Sequence, residues 1–103
     1  MIKHIDECKT YHVTVEGHSY GIFCLNSVGD LFLSGDWGMY GFSWRSFGNR
    51  PFKEFVAQIN GEYLFGKFEI NHRYLNGKGL PKHVRPHVIA LFDELKVQLK
   101  SEI

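Results

Sequence analysis

The residues of this chain best suited to chemistry are its histidines. His83 and His87 stand four apart in His83-Val84-Arg85-Pro86-His87. On an unbroken helix that spacing sets two imidazoles on one face, as a zinc site requires. His72 supplies a third donor from the preceding segment, and the three together define a small metal-dependent enzyme as one reading. Pro86 lies between the pair and argues against an unbroken helix through both. No Glu stands in the HExxH position that provides a general base. The sequence therefore favours three solvated histidines in a polar, basic stretch, with no metal and no other cofactor expected.

The nucleophile candidates are weaker. Cys24 lies between Phe23 and Leu25, which suits a packed thiol. Cys8 follows Asp6-Glu7, whose charges disfavour a thiolate. Two cysteines that stay unreactive thiols in a reducing cytoplasm are the simpler expectation than a disulfide. The serines show no nucleophile-elbow pattern, and Gly77-Lys78-Gly79 lacks the P-loop spacing. Asp36, before Trp37, is expected to cap its own turn. No catalytic set assembles, so the chain is read as a non-enzyme.

Binding has better candidates. Lys67, Arg73, Lys78, Lys82 and Arg85 are offset over that stretch only by Glu69, a local net charge of +4. Tyr74 lies among them. Basic residues with an interleaved aromatic attract phosphate backbones and bases, and an acidic protein surface equally. Trp37 sits in the glycine-flanked turn Gly35-Asp36-Trp37-Gly38, where an exposed indole would serve as an interface residue. Trp37, Lys67, Arg73, Tyr74, Lys78, Lys82 and Arg85 are thus the expected partner-binding residues.

The elements that must position these residues divide the chain in half. Tyr11, Val13 and Val15 alternate with His12, Thr14 and Glu16, the period of a half-buried strand over Lys9 to Glu16. Further strands are expected over Ser19 to Asn26, Asp30 to Ser34 and Met39 to Ser46, with Tyr40, Phe42 and Trp44 on one face of the last. Short turns between consecutive strands favour an antiparallel meander. Pro51 opens a helix with Phe52, Phe55, Val56 and Ile59 on one stripe. Asn60 is expected to cap a short second helix ending at Phe65 or Lys67. A basic loop is expected over Glu69 to Lys82. A last helix runs from about Pro86 to Lys100, with Val88, Leu91, Phe92, Leu95 and Leu99 inward. The fold class is α+β: a four-stranded antiparallel sheet with two or three helices packed on one face, in one domain over residues 1–103. The other sheet face is expected to carry small and polar residues such as Thr14, Ser43 and Arg45.

The totals agree with this class. In 103 residues, 44% are hydrophobic and 16% aromatic, and the net charge is +1. A nearly neutral chain is neither a general nucleic-acid coat nor an acidic DNA mimic. No apolar run is long enough to cross a membrane, and Met1 to Thr10 lacks the apolar core of a signal peptide. A cytoplasmic location, in a bacterial host, and no membrane partner are expected.

From Ser34 to Lys67 the chain reads SGDWGMYGFSWRSFGNRPFKEFVAQINGEYLFGK. This resembles a group of small proteins encoded by bacteriophages and prophages. The shared pattern is Asp36-Trp37-Gly38, then Tyr40, Phe42 and Trp44, Gly48, Phe52-Lys53-Glu54-Phe55, and Tyr63 through Lys67. The resemblance implies phage origin. Small phage proteins without a catalytic set often work by binding and blocking a host machine, as anti-CRISPR and other anti-defence proteins do. The implied partner is a bacterial host protein or ribonucleoprotein complex, with direct nucleic-acid binding through residues 67–85 as the alternative. The oligomeric state stays open.

Overall fold

A computed structural model describes Met1–Ile103. Four strands come first: β1 (Lys9–Thr14), β2 (Tyr20–Leu25), β3 (Asp30–Gly35) and β4 (Gly38–Ser43). They form one antiparallel sheet in the order β1-β2-β3-β4. The register sets Tyr11 beside Phe23, Phe23 beside Leu33, and Leu33 beside Tyr40. Leu25, Leu31 and Phe42 make the next row. These rows form the inner face, because side chains alternate along a strand. The turn before β3 needs Gly29: its φ is +102°, and a Cβ there would meet the Trp44 carbonyl oxygen at 1.9 Å. The Gly29 carbonyl in turn accepts from the Trp44 amide at 2.8 Å.

The helices are α1 (Phe52–Gln58), α2 (Gly61–Asn76) and α3 (Arg85–Ser101), with a single 3₁₀ turn at Lys82–Val84 before α3. Asn60 caps α2 as its residue type predicts, its side chain accepting from the Tyr63 amide at 2.8 Å. In α3, Val88, Leu91, Phe92, Leu95 and Leu99 are all buried. That helix packs on β1 and β2 and touches both other helices, while α2 lies over β4. Phe23, Phe68 and Phe92 are fully buried at the junction, each contributing about 2 kcal/mol by removal from water. Trp44 centres an aromatic cluster with Phe42, Phe52, Phe55 and Tyr63, at ring separations of 4.8–6.5 Å.

Three expectations need correction. The second helix does not stop at Lys67. It continues to Asn76, where Gly77 adopts a left-handed φ of 80° and its amide bonds back to the Arg73 carbonyl. Most of the expected loop is therefore helix. Second, Cys8 and Cys24 are joined as a disulfide, with Cα atoms 5.9 Å apart, within the range a bridge spans. Cys8 immediately precedes β1, and Cys24 stands opposite Thr10 in the register, so strand pairing brings the two sulfurs together. Third, the outer sheet face is not only small and polar: Thr14 and Ser43 stand exposed on it as expected, while Arg45 lies past the end of β4. Tyr20, Phe32 and Met39 also stand exposed on this face, with half-buried Ile22 between them.

Candidate partner-binding surface

Burial first decides which expected binding residues remain available. Trp37 is half-buried and packed against the core. Its indole Nε1 donates to the His18 carbonyl at 2.8 Å. Its ring stacks on His87, and its own carbonyl accepts from the Tyr40 hydroxyl. His87 and His18 meet through their Nδ1 atoms at 2.9 Å, so one ring donates and the other accepts. Asp36 accepts from the Ser19 hydroxyl, across the two turns. Trp37 therefore fastens the β1–β2 turn and the β3–β4 turn to the start of α3. It is not the exposed interface residue its glycine-rich setting suggested.

The basic residues separate into three groups. Lys67 lies 5.3 Å from the Phe42 ring and 5.2 Å from the Tyr63 ring, where its charge faces π density. Arg85 pairs with Glu62 and lies over Phe65. Lys82 is exposed in the 3₁₀ turn. Arg73, Tyr74 and Lys78 stand at the C-terminal end of α2 and the turn after it, Arg73 and Tyr74 beside Glu69 and Ile70. All three are exposed, Tyr74 by 86%. His72 fixes that turn through its Nδ1 and the Lys78 carbonyl, 2.9 Å apart.

The three histidines of the alternative metal-site reading do not converge. His72 is on α2, His83 in the 3₁₀ turn, and His87 pairs with His18. The structure contains no group of three or more metal-ligating side chains.

A surface that the basic pattern did not reveal lies on the outer sheet face. Among the outward positions of the four strands, only His12 and Asp30 are ionisable acids or bases other than the phenol of Tyr20. Asp30 is at the end of its strand, taken up by Ser43, Asn26 and Arg45. These contacts, the Ser43 bond first, hold its carboxyl below the usual range. The rest of the face is uncharged. It continues over the β4 edge into a recess of about 330 Å³ between β4 and α2. Phe32, Met39 and Leu75 form its apolar wall, and Asn71, His72 and Asn76 its polar end. Leu75 is 68% exposed, and Arg73, Tyr74 and Lys78 flank it along the chain. A large apolar patch with a polar rim is a usual mark of an interaction site. The signal was present in β2, where Tyr20 and Ile22 make the second face of a strand whose first face, Phe23 and Leu25, is also apolar.

The largest shifts among the ionisable groups lie elsewhere, on the opposite edge. Glu102 receives Gln98, Lys53, Tyr11 and Lys9. These contacts, led by the Gln98 bond, lower its carboxyl to about 2. Burial, then the bond to Glu102, raises the Tyr11 phenol to about 12. This network ties β1 to α1 and α3 and has the geometry of a structural clamp.

Neither a curated protein nor a solved structure matches the chain. A family model does match, over residues 3–102, and its description is that of a phage family. The match takes in all four strands and all three helices, so the resemblance read from Ser34 to Lys67 extends to nearly the whole chain. The chain belongs to this phage family, Phage_phiTE_072.

Proposed function

We propose that this phage protein is a non-enzymatic inhibitor that binds a bacterial defence complex in the host cytoplasm and blocks it by covering a surface, as an anti-CRISPR protein does. The observation that carries this reading is the outer sheet face, which exposes Tyr20, Phe32 and Met39 and runs over the β4 edge to Leu75; Arg73 and Tyr74 lie on another side of α2, with Glu69 and Ile70. Apolar residues supply the area, and the cations at the C-terminal end of α2 steer the approach of an acidic protein or a ribonucleoprotein. The test is capture from a lysate of host bacteria with the tagged protein, beside Met39→Glu and the double variant Arg73→Glu, Lys78→Glu. Loss of a specific defence component with Met39→Glu, at unchanged melting temperature, supports the reading. Equal capture by all three proteins rejects this surface.

The second reading is direct nucleic-acid binding. It draws on Tyr74, 86% exposed beside Arg73, which offers a stacking ring next to a cation. It requires retardation of DNA or RNA at low salt and steep loss of binding as salt rises.

A further inference from the structure

We propose that the free edge of β1 is a self-association surface. Two copies pair β1 with β1, antiparallel about a two-fold axis through His12, and join their sheets into one.

The alternation of hydrogen bonds shows which backbone groups are free. The Val15 amide donates to the Ser19 carbonyl at 3.2 Å. In an antiparallel pair, bonded positions recur every second residue, so Val13, Tyr11 and Lys9 bond toward β2. Thr10, His12 and Thr14 then direct their N–H and C=O groups away from the sheet. At the opposite edge the same rule leaves Met39, Gly41 and Ser43 outward. There Asn71 Nδ2 donates to the Gly41 carbonyl at 2.9 Å, and α2 covers the strand.

The β1 edge has no such cover: α3 packs against the strand, and its Glu94 and Gln98, with Glu102, line an open groove along Thr10 to Thr14. The N-terminal segment leaves it toward the β2–β3 turn, where Asp6 accepts from the Ser27 amide and hydroxyl. The edge is six residues long, in unbroken register and without proline. Natural sheets blunt such edges or pair them.

The occupant is a second copy because the strand complements itself. With His12 opposite His12 of the other copy, all three outward residues fall in hydrogen-bonded positions. On the outer face Thr10 then meets Thr14. On the inner face Tyr11 meets Val13. Threonine pairs and aromatic with β-branched pairs are both favoured across strands. Lys9 falls opposite Val15 of the other copy. That is the end of the groove where Glu94 lies near Thr14. The Lys9 side chain, paired at 3.4 Å with Glu102 of its own chain, remains 64% exposed and open to a second carboxylate, and Glu94 is exposed on α3 without an ion-pair partner in its own chain. The axis therefore brings two Lys9–Glu94 pairs together.

The test is sedimentation equilibrium of the full chain from micromolar to millimolar concentration. A monomer–dimer equilibrium is expected, weakened about tenfold or more by Glu94→Lys and abolished by His12→Pro, which removes a central donor. Under oxidant, His12→Cys should cross-link to its own copy, because hydrogen-bonded antiparallel partners lie about 5.5 Å apart. Met39→Cys, at the other edge, should not. Thermal melts establish that each variant is folded, and should His12→Pro unfold, Glu94→Lys at its exposed helical position decides. A monomer at every concentration overturns the proposal. So does a dimer unchanged by Glu94→Lys, or equal cross-linking of the two cysteine variants.

Discussion

The Trp37 indole lies flat on the His87 imidazole, with ring centroids 3.7 Å apart and planes 3° from parallel. This contact joins two ends of the fold that are distant in sequence. Trp37 belongs to the turn between β3 and β4, and His87 to the first turn of α3. The same indole donates to the carbonyl of His18 in the β1–β2 turn, and His18 meets His87 directly. Three segments thus share one knot of rings, closing the end of the sheet opposite the Glu102 network.

Trp37→Ala should therefore act on stability. Truncating a buried Trp costs about 3–5 kcal/mol, and the partial exposure of this one places the expected loss below that range, at about 2–3 kcal/mol. Denaturant unfolding measures it. Trp37→Phe keeps the stacking plane and loses the donor, and should cost about 1 kcal/mol, the worth of one hydrogen bond. If Trp37→Ala leaves the unfolding midpoint in place but removes partner binding, Trp37 is an interface residue after all.

Acid stability should follow Glu102. Its carboxyl is lowered from an ordinary value of 4.5 to about 2. A group depressed in the folded state adds stability above its unfolded value, and that stability is lost as pH falls through the folded one. The contribution should hold at neutral pH and disappear between about 4.5 and 2. Tyr11 gives the opposite limb. Its phenol is raised from 10.0 to about 12, so its share is present below pH 10 and is lost as pH rises toward 12. Melting temperatures of the native chain, Glu102→Gln and Tyr11→Phe across pH check both limbs. The gap between native and Glu102→Gln should narrow in acid, and a constant gap would rule out the ionised clamp.

The disulfide gives a third prediction. Cys8 and Cys24 are separated by 16 positions, a loop for which chain-entropy estimates give about 3 kcal/mol. The β1–β2 hairpin already closes most of that loop, so reduction should cost less than this and should chiefly release Met1 to Glu7. Amide exchange before and after reduction tests this. Protection should fall at Ser27, whose amide is held by Asp6, while β3 and β4 stay protected. Loss of protection throughout the sheet would show that the bridge supports the whole fold.

These contacts also show where the sequence is readable. Strands and helices follow from periodicity: Val88, Leu91, Phe92, Leu95 and Leu99 are inward as their spacing requires. The C-terminal half of α2 was hidden because Asn71 and His72 interrupt the apolar stripe. Both are polar for structural reasons, Asn71 covering the Gly41 carbonyl and His72 holding the Lys78 carbonyl. A helix that guards a sheet edge needs polar residues where a core helix has apolar ones, and the pattern then resembles a loop. The candidate surface was hidden for a related reason. Charge is visible along a sequence, and it drew notice to Lys67 and Arg85, whose partners lie elsewhere in the fold. An apolar outer face is invisible until the register shows that Tyr20, Phe32 and Met39 share it.

The fourth prediction separates the apolar face from the basic end of α2. Met39 is 78% exposed and stands beside Ser34 on the outer face, so Met39→Glu should change stability by less than about 0.5 kcal/mol, as surface substitutions do. A carboxylate in the centre of a desolvated interface should cost binding about 2 kcal/mol or more, through a faster off-rate. The double variant Arg73→Glu, Lys78→Glu should act differently. Its charges lie off the apolar face, at the end of α2, so it should mainly slow association and reduce the salt dependence. Surface plasmon resonance against the captured partner at two salt concentrations distinguishes the two effects. If the double variant loses all binding and Met39→Glu loses none, recognition rests on charge, and the nucleic-acid reading takes precedence.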